Sequence, residues 1–222
     1  VADRNALLAA LFDAHIVVVG RAQDEPTPVI FAEEETQIIG ASLARQQEFR
    51  NGRACAHLAL QKLGRRTAPV LRGKNREPLW PTGTVGSISH NCAFAAAAVG
   101  SSDVCAAIGL DVENDAALGP SFAHRVCSPR ELERCAELGP SEELATVVFS
   151  AKESAYKAQF PLSKAVLFWR DLEVLLESER FTVGFRTVCP PFRPDQLMVG
   201  RWFRGAGLVF TGIALARGEV ST

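Results

Sequence analysis

Apolar positions along this chain change their period several times. Over residues 41–63, Leu43, Phe49, Leu58, Leu60 and Leu63 recur near helical spacing and Gly64 supplies a stop, so a helix is expected. Gly52 falls inside it at a local cost of about 1 kcal/mol against alanine. That cost implies either a break between two helices or close approach by another segment. A short helix over 5–12 and a strand over 15–19, ended by Gly20, precede it. Charges and two prolines make 21–28 a loop, and prolines and glycines make 65–86 loop-like. Short strands follow at 87–89, 93–99 and 105–112. The alanine-rich second one is assigned by its length and flanking turns, because alanine itself favours helix.

The second half repeats that style. Ser128-Pro129-Arg130-Glu131 reads as a capping box with proline at the first helical position. Ser141 caps a longer helix that runs to about Gln159 and is stopped by Pro161. Strands are expected near 171–176, 181–188, 199–203 and 208–216, the last two joined as a hairpin by Gly205-Ala206-Gly207. Helices and antiparallel strands in both halves give an α+β reading.

Composition narrows the partners. A chain of 222 residues with 47% hydrophobic and 22% charged residues buries a real core as one large domain or two lobes. A net charge of −1 gives no electrostatic case for nucleic acid, so any phosphate site must be a local basic pocket. No apolar run is long enough for a membrane span, and the N-terminal run broken by Asp13 makes a poor signal peptide. The six cysteines show neither CxxC nor zinc-finger spacing, which points to reduced thiols and the cytoplasm.

Four constellations carry candidate chemistry. In Ile108-Gly109-Leu110-Asp111-Val112-Glu113, strand alternation puts Ile108, Leu110 and Val112 on one face and the two acids on the other. Such a pair is either a solvated edge or a site for a hard cation such as magnesium. In Phe149-Ser150-Ala151-Lys152-Glu153-Ser154-Ala155-Tyr156-Lys157, Glu153 and Lys157 share a helix face, as an ordinary surface pair or as part of a site. Gly86-Ser87-Ile88-Ser89-His90 offers small hydroxyl residues and a histidine at a strand end, suited to an anion, although His90 also fits a structural role. There is no GxSxG elbow for a serine hydrolase. Finally Arg45, Arg50, Arg53, Arg72, Lys74 and Arg76 form a basic series, Arg45 and Arg53 being eight apart on one helix face.

Taken in order, Gly52-Arg53, Glu77-Pro78-Leu79-Trp80-Pro81, Gly86 to His90, Gly109 to Glu113 and Phe149 to Lys157 resemble the 4'-phosphopantetheinyl transferases. The likeness is to the monomeric, two-lobed class of the surfactin and enterobactin enzymes. It implies a pseudo-dimer of two similar α+β lobes, here residues 1–105 with the coenzyme A contacts and 106–222 with the metal and catalytic residues. It also implies transfer of the phosphopantetheine arm of coenzyme A to a serine of an apo acyl- or peptidyl-carrier protein, with release of 3',5'-ADP. By the same resemblance Asp111, Glu113 and Glu153 hold magnesium, or manganese in its place, and Glu153 is the general base. Lys157 stabilises the pyrophosphate, and Lys152 is a second phosphate partner. Ser89 and His90 contact the phosphates, Arg53 meets the 3'-phosphate, and Arg45 and Lys74 lie near the adenosine end. Two positions depart from the pattern: Ala44 stands where relatives often carry a basic residue, and Phe149 where many have tryptophan.

Two other readings use the same residues. Acid pairs beside a Glu–Lys helix would serve a metal-dependent phosphodiesterase, though the near-neutral charge disfavours a polynucleotide substrate. A coenzyme A-binding regulator without turnover would not need all three acids and Lys157.

Overall fold

A computed structural model describes residues 3–219; residues 1–2 and 220–222, the outermost of the two expected lobes, lie outside it. The chain opens with α1 (Arg4–Ala10), capped by the Asp3 carboxylate, and β1 (Val17–Ala22). β1 runs through Gly20 rather than ending there, because its ladder with the alanine-rich strand continues to Ala22. Next come α2 (Ala32–Glu35) and α3 (Leu43–Lys62), the latter capped by the Ser42 hydroxyl. α3 is unbroken at Gly52, where an added Cβ would lie 2.9 Å from Ile88 Cγ2. Close approach, not a helix break, explains that glycine.

The stretch read as loop contains a small hairpin, β2 (Leu71–Arg72) and β3 (Pro78–Leu79). β4 (Thr84–His90) and β5 (Phe94–Ser101) follow, and with β1 they form an antiparallel sheet in the order β1-β5-β4. β5 is buried on both faces. Ala95, Ala97 and Val99 pack with Ala56, Ala59 and Leu60 of α3, while Ala96 and Ala98 join a second core with Leu8, Phe12 and Phe94. Small side chains let two layers close on one strand, so alanine here serves packing rather than helix propensity.

β6 (Cys105–Asn114) starts the second sheet. Then come α4 (Pro120–Val126), α5 (Pro129–Leu138), α6 (Ser141–Ser163), β7 (Leu172–Leu176), β8 (Arg180–Phe185), β9 (Leu197–Gly205) and β10 (Leu208–Ala216). The order β6-β10-β9-β8-β7 is antiparallel throughout. α5 opens with the reciprocal Ser128–Glu131 capping box. α6 passes through Pro161, which costs one bond in the last turn without ending the helix, and stops at Lys164 in the left-handed region.

The result is an α+β, two-lobed fold in which each lobe lays a long helix on an antiparallel sheet. The lobes meet where β4 lies beside β6 without a backbone ladder. The Ser87 hydroxyl accepts from the Leu110 amide at 3.0 Å and the Ser89 hydroxyl from the Val112 amide at 3.2 Å. Two serines therefore satisfy strand amides that would otherwise be orphaned. No helix among the described residues is long and apolar enough to cross a membrane.

Candidate active site

The alternation on β6 aims its residues in two directions. Ile108, Leu110 and Val112 enter the core shared with α1 and β5. Asp111 points the other way and is buried, but under α6 rather than at a solvated edge. Gly109 makes this contact close, since a Cβ there would overlap the Ser154 carbonyl of α6. An alanine would push α6, and with it Glu153 and Lys157, off the strand.

Three groups hold the Asp111 carboxylate. The Ser89 hydroxyl donates to Oδ1 at 2.9 Å and the Lys157 ammonium at 2.7 Å, while the Ser150 hydroxyl donates to Oδ2 at 2.8 Å. Thr211, paired with Asp111 in the β10 register, sits 2.9 Å from the Ser150 hydroxyl. Lys157 also donates to the Leu110 carbonyl and the Ser89 hydroxyl, each at 3.0 Å. The Ser89 hydroxyl thus has one donation and two acceptances filled, so it orients Asp111 and Lys157 instead of offering a spare donor to a phosphate. Ser150 and Thr211 carried no assigned role from sequence; the fixed position of Ser150 four residues before Ser154 gave no signal, and Thr211 lies far along the chain.

Glu113 and Glu153 share the acidic field. Burial first, then Asp111 and Glu153, push the Glu113 carboxyl up to about 8, against a smaller opposing pull from Lys157. Glu153 is also raised, mainly by burial, while the Trp169 indole N–H, 2.8 Å from its Oε1, opposes the shift. Trp169 is a further residue that sequence reasoning missed. Among the described residues no three acid, histidine or cysteine side chains are gathered closely enough to hold an ion as they stand.

The opposite wall is basic. A cavity of about 230 Å³ is lined by Arg45, Arg53, Arg72, Arg76, Lys157 and His90, with Phe49, Ser89 and Asp111. Arg53 is buried, and desolvation lowers it to about 10. The Arg45 guanidinium lies 3.1 Å from His90 Nε2 and 3.5 Å from Nδ1. Burial, with Arg45, Lys157 and Arg53 nearby, pushes His90 down to about 3. His90 is therefore a neutral imidazole at physiological pH. A groove of about 790 Å³ adjoins the cavity, sharing Arg45, Arg76 and Lys157 with it and adding Trp80, Tyr156, Phe160 and Glu153.

Two expected contacts are not on these walls. Lys152 is 1% exposed and turned into the C-terminal core, where its ammonium donates to the Val126 carbonyl and to Glu131, both at 2.8 Å. It lies about 100° around α6 from Glu153, and that rotation carries it away from the phosphate wall. Lys74 is exposed at the tip of the β2–β3 hairpin and does not line the cavity. The same hairpin brings Arg72 and Arg76 to the cavity lining, although Arg76 is itself exposed.

A two-lobed α+β protein with a basic cavity, an acid cluster and one lysine bridging them is equipped to bind a phosphorylated ligand. Comparison with known proteins specifies the class. Residues 33–100 match the family model for the 4'-phosphopantetheinyl transferase N-terminal domain, and 107–193 that for the 4'-phosphopantetheinyl transferase superfamily. Among similar proteins, 4'-phosphopantetheinyl transferase Svp of Streptomyces mobaraensis is 35% identical over 88% of this chain and 82% of its own. 4'-phosphopantetheinyl transferase PptT of Mycobacterium tuberculosis is 34% identical over 82% of this chain and 85% of its own. Enterobactin synthase component D of Escherichia coli K12 is 34% identical over 68% of this chain and 76% of its own. The chain belongs to the 4'-phosphopantetheinyl transferase family and is an enzyme of that family.

Proposed function

We propose that the protein takes coenzyme A, moves its phosphopantetheine arm to a serine of an apo acyl- or peptidyl-carrier protein, and releases 3',5'-ADP. The observation that carries this reading is the position of Lys157, whose ammonium ties Asp111 to Ser89 at the junction of the basic cavity and the larger groove. The basic cavity takes the phosphates of the adenosine half, with Arg53 toward the 3'-phosphate and Arg45 at the adenosine end. His90 binds as a neutral partner through hydrogen bonds. The groove, with Trp80 and Phe160, takes the arm.

In the step itself, the carrier serine oxygen bonds to the phosphorus of the arm, the bond to the bridging pyrophosphate oxygen breaks, and the serine proton passes to Glu153. Burial makes the Glu153 carboxylate a stronger base than an exposed one, and Trp169 fixes its orientation. Lys157 meets the charge that grows on the leaving 3',5'-ADP. Asp111, Glu113 and Glu153 supply only hard oxygen donors, and Asp111 and Glu153 add to the burial that raises Glu113. Drawn together from their present positions, those three carboxylates would suit magnesium, with manganese as a substitute. When bound, such an ion offsets charge on the pyrophosphate. We take the protein to act as a cytoplasmic monomer. Its likeness to enterobactin synthase component D makes peptidyl carriers of siderophore assembly the first to try.

The test is mass spectrometry of several apo carriers incubated with the protein, coenzyme A and magnesium, with and without a chelator. One added pantetheine arm, lost with the chelator, is expected. Cleavage of coenzyme A without a carrier would favour a phosphodiesterase, and binding without transfer would favour a regulator.

A further inference from the structure

Every proton of the Lys157 ammonium is already in use. It donates to Asp111 Oδ1 at 2.7 Å, and to the Ser89 hydroxyl and the Leu110 carbonyl at 3.0 Å each. An ammonium has three donors, so in this arrangement none is left for a phosphate. Asp111 Oδ1 is filled as well. It accepts from Lys157 and from Ser89, and both of these residues line the basic cavity. Oδ2 turns the other way, to Ser150 and through it to Thr211, both fully buried. A cation that enters from the cavity therefore meets Oδ1, where one of the two donors must leave. Ser89 is held in β4 and by the Val112 amide, and is 5% exposed. Lys157 ends a flexible four-carbon stem, and its side chain is 27% exposed. The lysine is the donor free to move, and repulsion between like charges drives it off. The cavity and the groove that would receive its ammonium are both already lined by Lys157.

We propose that Lys157 is the resident counter-ion of Asp111, displaced when a divalent cation takes Oδ1, and that this exchange is what frees its ammonium for a phosphate. The cation therefore comes before the anion. That the arriving groups are a divalent cation and a phosphate rests on the transferase reading; the saturation of Lys157 does not.

Proton–nitrogen NMR of the full chain, carrying isotope-labelled lysine, tests the exchange without any transfer reaction. Lys62, Lys74 and Lys164 are exposed, and their ammonium protons exchange with water too fast to be seen. Lys152 and Lys157, held by hydrogen bonds, should each give a signal, the second identified by its loss in Lys157→Met or Lys157→Arg. Magnesium alone should remove the Lys157 signal and leave that of Lys152, which is buried against Glu131. Pyrophosphate with a chelator should leave both. A Lys157 signal missing from the start beside a visible Lys152, or unmoved by magnesium, would overturn the exchange, and so would its loss with pyrophosphate alone. Should neither ammonium be visible, manganese binding read by electron paramagnetic resonance decides. Lys157→Met should then bind manganese about fivefold or more tightly than the unaltered protein, even in high salt, where a merely nearby charge is screened. An unchanged affinity, or equal tightening in Lys164→Met, overturns the proposal. A protein that makes the exchange but never modifies a carrier keeps the resident lysine and loses the transferase reading. One that modifies carriers while magnesium leaves the Lys157 signal in place does the reverse.

Discussion

The two walls of the cleft carry opposite charge and are built by opposite means. The basic wall draws Arg45 and Arg53 from α3, Arg72 and Arg76 from a small hairpin, and His90 from the end of β4. The acid wall comes from only two elements, β6 and α6, clamped together at Gly109. A wall assembled from several elements adapts to a large, flexible anion, whereas one made from a strand and a helix fixes atoms at the spacing a reaction needs. Ser89 and Lys157 join them, and both grip Asp111. On the proposed function, the difference assigns affinity to the basic wall and rate to the acid wall, and each substitution below tests which side a residue serves.

The largest effect is expected on the acid wall. Glu153→Gln keeps the size of the side chain and an oxygen that still accepts from Trp169, so the fold should hold. Loss of the base should lower kcat by about 100- to 10,000-fold with KM for coenzyme A nearly constant. Transfer assays alongside circular dichroism check this; near-normal turnover would remove Glu153 from its assigned part. Lys152, its immediate neighbour, should behave differently. Lys152→Met strands the Glu131 carboxylate, which is fully buried and also receives the Val174 amide. Breaking such a pair costs about 3–5 kcal/mol, read as a lower urea midpoint. Unchanged stability with a raised KM would return Lys152 to the phosphate wall.

These neighbours show what the sequence could and could not reveal. The motif around Glu153 was legible, and helical geometry put Glu153 and Lys157 on one face. The direction of Lys152 depended on Glu131, 21 residues earlier on α5, which no local spacing reports. The period-2 pattern of β6 gave the correct faces, but a covering helix, invisible to alternation, turned an edge into a buried site. Alanine-rich β5 was assigned from its turns, and its composition became intelligible only with both packed layers in view. Pro161 misled because proline in a final turn costs less than in a helix interior. Trp169, Ser150 and Thr211 were silent because each acts through a partner carboxylate and belongs to no pattern of its own.

On the basic wall the effect should be smaller and appear in affinity. Arg53→Gln is expected to raise KM for coenzyme A by about tenfold or more, the loss of one or two charge-assisted bonds, with kcat within about twofold. A fall in kcat at saturating coenzyme A would mean that the two walls are not separable in function.

The smallest effect is expected one turn of chain away from the cavity. Lys74 and Arg76 are both exposed on the same hairpin and differ by two positions, yet only Arg76 lines the cavity. An exposed lysine that does not line the cavity is screened by salt and contributes little. Lys74→Ala should therefore change KM for coenzyme A by less than about twofold at physiological ionic strength, whereas Arg76→Ala should raise it several-fold. Titrating both variants in low and high salt separates the two kinds of charge: a contact at the cavity wall keeps most of its effect in salt, and a distant charge loses it. If Lys74→Ala matched Arg76→Ala and stayed so in high salt, the tip of the hairpin would have to fold down over the bound nucleotide, and the basic wall would be a moving part instead of a fixed one.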